Sequence, residues 1–273
     1  MTKAIKIYMP FVKTGFQNTL AYKFNFIFWF ISQLLYCFVM YYLWKAVFNS
    51  SANQYFLGFT LNDMVVYLFI TTLTAHIASS SATDLIAEEV KNGSFSMRMI
   101  KPVNFDLSLL FSELGGIIVI FVVAFVPIIT GVEIFKFFNS EVYTFSIVNL
   151  LLLLFSTALS YLLNFYLGLC IGAFAFFLKN LWGFIILKDS IISFLSGAII
   201  PIAFIPWKSV RIVFEILPFS SLSYTPVMIY MGKYSPSEII IKILLQIFWV
   251  IVFIIFSKLI FKSAFKHLTV QGG

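Results

Sequence analysis

Charge is scarce in this chain. Asp, Glu, Lys and Arg make up 11% of its 273 residues, against roughly a quarter in ordinary soluble domains. Such a shortage excludes a solvated surface over most of the molecule. Histidine is nearly missing, with only His76 and His267. There is no HExxH, no CxxC and no Cys/His cluster, so no metal site is expected. Cys37 and Cys170 lie far apart within apolar stretches and read as small packing residues rather than a disulfide framework. GxSxG and the phosphate-binding GxxxxGKS/T are both lacking, so no catalytic residue is expected. A process driven by nucleotide would need its nucleotide site on another chain. A cleavable signal peptide is not expected either, because Lys3, Lys6 and Lys13 interrupt the first residues and no small-residue cleavage site follows an apolar core.

What fills the chain instead is hydrocarbon. Hydrophobic residues reach 61%, and Phe alone occurs 35 times. The run Phe24 to Trp44 is 21 residues without an acidic or basic side chain. About 20 such residues in a helix cross a hydrocarbon core roughly 30 Å thick. Six long apolar stretches, three of them free of charge, are expected as spans, at 24–44, 64–83, 107–132, 146–178, 181–205 and 238–261. The fold class is therefore an all-α membrane protein, with residues 1–273 forming one membrane domain. Pro127 is expected to kink the third span. Val142 to Leu178 is 37 residues without charge, too short for two spans and a turn, so it reads as one long span. Glu133 to Tyr143 reads as a short polar loop.

Residues Ala4 to Ala21 carry Ile5, Tyr8, Met9, Val12, Phe16 and Leu20 at helical spacing. This pattern predicts an amphipathic helix lying in the interface plane, bent near Pro10. The stretch between Trp207 and Pro236 mixes charge with apolar residues and is cut by Pro218 and Pro226. It reads as short helices dipping part-way into the bilayer under protein cover.

The net charge of +7 does not indicate nucleic acid, because most basic residues flank apolar segments as membrane anchors do. With both termini placed in the cytoplasm, the inner side holds Lys3, Lys6, Lys13, Lys23, Lys91, Arg98, Lys101, Lys179, Lys188, Lys258, Lys262 and Lys266, which is 12. The outer side holds Lys45, Lys136, Lys208, Arg211, Lys233 and Lys242, which is 6. The excess predicts both ends inside.

Three groups of polar residues invite a functional reading. Ser79, Ser80 and Ser81 stand beside His76 with Asp84 beyond, but intramembrane hydroxyls usually bond backbone or a neighbouring helix, so the cluster reads as structural. Lys188 and Asp189 sit inside a span. Neighbours on a helix do not face one another, so each is expected to meet a different partner, on a pathway, at a subunit interface or among lipid headgroups. The stretch Asp84 to Val103 mixes charge with Phe95, Met97, Met99 and Ile100, as exposed protein interfaces do.

The segment Glu88-Glu89-Val90-Lys91-Asn92-Gly93-Ser94-Phe95, followed by Met99-Ile100-Lys101-Pro102-Val103, resembles a signature of type-2 ABC exporter permeases, E-x-I/V-x-x-G-x-F/L…L-x-K/R-P-I/V. Met99 stands where that pattern has Leu. Leu195-Ser196-Gly197-Ala198-Ile199-Ile200-Pro201-Ile202-Ala203-Phe204-Ile205-Pro206-Trp207 resembles the end of their fifth span, with Trp207 one residue early. Leu217-Pro218-Phe219, Tyr224-Thr225-Pro226-Val227 and Tyr230-Met231-Gly232-Lys233 supply a third match.

The resemblance implies a bacterial plasma-membrane permease paired with a second permease, identical or homologous, above two copies of an ABC ATPase. Glu88, Glu89, Lys91, Asn92, Gly93, Phe95 and Arg98 would form a coupling helix on that ATPase. Residues 1–22 would be the elbow. Gly197, Pro201, Phe204, Pro206, Pro218, Phe219 and Pro226 would shape an extracellular gate. ATP and Mg would bind the partner, with no cofactor on this chain. Two alternatives stay open: an ion-coupled secondary transporter, or a non-transporting sensor or immunity subunit. Spans one, two, four and six lack interior acids, which disfavours ion coupling.

Overall fold

A computed structural model of the chain describes residues 2–50, 57–139, 145–178 and 180–264. Among them every regular element is helical. Lys179, Lys266, His267 and part of the expected 133–143 loop lie outside the described residues.

The first helix, α1 (Thr2–Ala21), leads into α2 (Lys23–Ser50). Next come α3 (Leu61–Ile77), α4 (Ala82–Lys91) and the short α5 (Phe95–Met99). A long rod follows, made of α6 (Phe105–Ile120), a π turn over Phe121–Phe125, and α7 (Val126–Asn139). Then α8 (Ile147–Gly172) ends in a 3-10 turn at Ala173–Phe176. Helices α9 (Trp182–Leu195), α10 (Lys208–Ile216), α11 (Tyr224–Tyr230) and α12 (Pro236–Ala264) follow. Among the described residues, five stretches are long and apolar enough to cross a bilayer: Ile27–Ser50, Leu61–Lys91, Phe105–Asn139, Ile147–Phe176 and Pro236–Ala264.

The expected fifth span is the departure. Over 181–205 the regular helix is α9, with 14 residues, a length of about 21 Å. Beyond it Gly197 takes φ +77° and Ile202–Phe204 forms a single 3-10 turn. Pro201 and the left-handed glycine stop the helix short of a hydrocarbon thickness.

The 64–83 stretch is also broken. Helix α3 stops at Ile77, and Ala78 to Ser81 turn the chain before α4 starts. The other end of α3 is closed by a capping box: Asp63 N–H donates to Thr60 Oγ1 at 3.0 Å while Thr60 N–H donates to Asp63 Oδ2 at 3.0 Å. In the third span the distortion precedes the proline. Pro127 has no N–H to give, and the π turn absorbs the defect, with Val126 N–H bonding Phe121 O. The polar loop expected from Glu133 is helical to Asn139. Glu133 is satisfied there by Lys136 at 3.1 Å and by the Tyr230 hydroxyl, so its charge does not end the helix.

The N-terminal helix does not lie apart from the bundle. It packs along α6 over about three turns. The Tyr8 hydroxyl accepts from Asn104 N–H at 3.1 Å, and its ring stacks on Phe111 at 5.2 Å. A Cβ on Gly15 would fall 1.8 Å from Ser112 O, and one on Gly115 would fall 2.2 Å from Val12 O. Backbones meet this closely only where side chains are missing.

Polar ends of the helices sort to two ends of the bundle. At one end Asn62 Nδ2 donates to Asn139 O at 3.0 Å, and Lys233 Nζ donates to Gly58 O and Asp63 Oδ2 at 3.2 and 3.1 Å. At the other, Phe95, Phe105, Phe176 and Phe261 cluster ring to ring. Helix α1, the α4–α5 segment and the C-terminal end of α12 share that second end.

Candidate functional site

The α4–α5 segment is held by one face and open on the other. Ala82, Thr83 and Ile86 are buried, while Asp84, Glu88 and Lys91 are exposed. Their seat is α8. Thr83 Oγ1 donates to Gly168 O at 3.0 Å, and a Cβ on Gly172 would come within 2.9 Å of Ile86 Cδ1. Two glycines one turn apart thus open a groove for α4. After Lys91, Asn92 N–H reaches Glu88 O and Gly93 N–H reaches Val90 O. Gly93 itself takes φ +72°, which lets the chain reverse into α5.

The sequence places Glu88, Glu89, Lys91, Asn92, Gly93, Phe95 and Arg98 together as a contact surface. The structure brings them together but gives them different tasks. Arg98 grips Glu89 with its guanidinium, Nε lying 3.0 and 2.7 Å from the two carboxylate oxygens, and lies over the Phe105 ring. A bidentate pair of this kind fixes α5 against α4. Phe95 is 1% exposed. It packs among Ala82, Ile86, Leu109, Phe165, Leu169 and Phe261, with its ring 4.9 Å from Phe176. The expectation of an exposed Phe95 fails because these rings enclose it; Phe95 anchors the segment to the bundle. The outward surface comprises Glu88, Lys91, Asn92 and Gly93, joined by Met97 at 68% and Ile100 at 78% exposure. The sequence shows Met97 and Ile100 as apolar but does not separate them from Phe95. Only the fold decides which side of a five-residue helix faces out.

The bend before α4 holds a polar knot. Glu113 Oε1 accepts from Ser80 Oγ at 3.1 Å and from Ser81 N and Oγ at 2.9 Å each, and Oε2 accepts from Tyr161 at 3.0 Å. Asn164 Nδ2 donates to Ala78 O at 2.8 Å. Ser79 Oγ donates to His76 O, and the His76 ring stacks on Trp29 at 3.5 Å. These hydroxyls therefore serve backbone carbonyls and Glu113, not the His76 imidazole.

At the opposite end the expected gate residues divide. Gly197 O accepts from the Tyr67 hydroxyl at 2.6 Å. Any Cβ there would sit 3.1 Å from Tyr224 Cβ and Ile202 Cγ1. Pro201 is buried, and Phe204 meets Trp44 and Phe59 edge to face at 5.3 and 5.2 Å. Pro226 lies in α11, all seven residues of which are buried. Pro218 is buried and Phe219 packs with Leu163, Leu222 and Val250, a separate cluster. Pro206 is exposed and joins neither. A second polar knot, not visible in the sequence, ties this end together: Gln246 Nε2 donates to Ser221 O at 2.8 Å, while Ser156 Oγ donates to Gln246 Oε1 at 2.9 Å. The Tyr234 hydroxyl is buried without a hydrogen-bond partner among the described residues, and burial pushes its pKa well above the usual tyrosine value.

Lys188 and Asp189 do not point to separate partners. Lys188 Nζ lies 3.1 Å from Asp189 Oδ1, because the long lysine stem folds back past its neighbour. The lysine side chain is 6% exposed and the carboxylate 64%. Trp182, Leu187 and Phe194 on the same helix are also exposed.

The described residues contain no group of three His, Cys, Asp or Glu side chains able to hold a metal. Comparison with curated proteins gives no match. The family model described as "ABC-2 family transporter protein" matches residues 34–272, from within α2 through the α4–α5 segment and α12. With several helices apolar enough to cross a bilayer and nearly the whole chain matched, this multi-pass membrane protein belongs to the ABC-2 transporter family as a permease.

Proposed function

We propose that the chain is the permease half of an ATP-driven exporter in a bacterial plasma membrane, worked by a separate ABC ATPase that docks on α4–α5. The observation that carries this reading is the construction of that segment. It is braced from within by Phe95, the Glu89–Arg98 pair and the Gly168–Gly172 groove. Outward it offers Met97 and Ile100 beside Glu88 and Lys91. A rigid mount under an apolar tip with charged borders suits a protein partner that pushes. ATP and Mg belong to that partner, and hydrolysis is its chemistry. Displacement of the segment would reshape the spans, and the Gly197–Phe204 and Pro218–Pro226 segments at the other end would form the outer gate.

A second permease, identical or homologous, would cover α9. Asp189 and several large apolar side chains stand exposed together on that helix, a mix of apolar surface and charge that suits a protein neighbour. Both termini would face the cytoplasm, since α1 and the end of α12 share the docking end. Co-expression with an ABC ATPase tests the central part. The complex should co-purify, and Glu88→Arg should reduce recovery of the ATPase while membrane insertion stays intact. Full recovery with that variant would count against the docking assignment.

A further inference from the structure

We infer that Glu113 is a positioning residue that holds the bend between α3 and α4 and carries movement of the α4–α5 segment into α6 and α8. The inference rests on the reading of α4–α5 as the docking segment. Nothing in the sequence distinguishes Glu113 beyond its place near one end of an apolar stretch.

Geometry makes the case. The bend at Ala78–Ser81 is where a rod of span length is interrupted, so it is the place where α4 can swing relative to α3. Three donors from the bend converge on a single carboxylate oxygen, Oε1 of Glu113, and one of them is the Ser81 N–H at the start of α4. The negative charge also faces the positive end of α4. The second oxygen is taken by Tyr161 of α8. Glu113 therefore joins three elements through four bonds. Other ties from the bend region run to α8, from Ala78 O to Asn164 and from Thr83 to Gly168. Glu113 supplies a polar link to α6. On its far side α6 is locked to α1 at Gly15 and Gly115. A push on α4 thus meets a rod that is already braced.

Charge-assisted bonds to a shared acceptor are strong and directional. Alanine at 113 leaves Ser81 N–H, two serine hydroxyls and Tyr161 without their acceptor. Glutamine keeps much of the arrangement: its carbonyl oxygen can accept from Ser81, and its amide can donate to the Tyr161 oxygen.

The test uses the full chain in lipid nanodiscs, alone and with its ATPase. Amide exchange over 78–85 should rise about tenfold in Glu113→Ala, with α12 unchanged, and return to within about twofold in Glu113→Gln. Ser81→Ala and Tyr161→Phe, each removing one bond, should give smaller increases, and they stand in should the alanine variant fail to fold. In the complex, Glu113→Ala should still bind the ATPase with an unchanged KM for ATP. A spin label at Phe138, on the far end of α7, should however lose its nucleotide-driven shift. Unchanged exchange in the alanine and serine variants, or a full shift at 138 in the alanine variant, would overturn the inference. Failure of the wild-type chain to bind an ATPase would sink the docking reading, and exchange in the chain alone would still decide whether Glu113 holds the bend.

Discussion

Phe95 shows how one side chain changes its meaning between sequence and fold. By type and position it looks like a contact residue; by burial it is a bolt. Its loss should therefore act through stability. Phe95→Ala removes a fully enclosed ring, a change that costs about 3–5 kcal/mol in well-packed cores. We predict faster proteolysis or amide exchange confined to α4–α5, with Phe95→Leu much milder. If instead Phe95→Ala leaves exchange unaltered and only ATPase binding falls, the ring faces the partner and the packing assignment is wrong. Lys188 teaches the reverse. Sequence geometry separates neighbouring helix positions, but a four-carbon stem bridges them, and a pair at 3.1 Å results. Backbone directions are legible from sequence, while the reach of long side chains is not.

Glycine explains much at the level of whole helices. Gly15 and Gly115 let α1 and α6 touch backbone to backbone, and Gly168 and Gly172 seat α4 on α8. Hydropathy could find the helices, because runs of apolar residues report length directly. It could not find these seams, because a glycine in an apolar run lowers the signal without saying what lies opposite. The breaks were also hidden. Three serines follow the apolar run at Ala78–Ser81, but serines alone do not announce a turn; its anchor is Glu113, more than thirty positions away. For the α1–α6 seam we predict that Gly115→Leu separates the helices, because its first side-chain atom alone would meet Val12 O at 2.2 Å and Phe16 N at 2.5 Å. Cysteines placed at Tyr8 and Phe111, in a background lacking Cys37 and Cys170, should cross-link in the parent. They should fail to do so with Gly115→Leu. Retained cross-linking would show that the seam is looser than described.

At the scale of the molecule, the chain is a bundle with two polar ends and different equipment at each. One end carries the braced α4–α5 segment together with α1 and the close of α12. The other carries the buried α11, the Tyr67–Gly197 bond and the Lys233–Asp63 pair. A single cysteine at Asn92 should resist an impermeant thiol reagent in intact cells, and one at Lys233 should react; the opposite labelling would invert the topology. That six spans were expected and five stretches of the described residues qualify follows from α9, where a left-handed glycine and a proline interrupt an apolar run that hydropathy reads as continuous. The account stands or falls on the outward face of α5. The most direct measurement is the affinity of the ATPase for the nanodisc-embedded chain, compared with Met97→Asp/Ile100→Asp. These two side chains touch little of their own chain, so the variant should fold normally and bind at least tenfold more weakly, a loss of about 1.4 kcal/mol or more. Equal affinity for parent and variant would contradict the claim that this segment is where the motor engages.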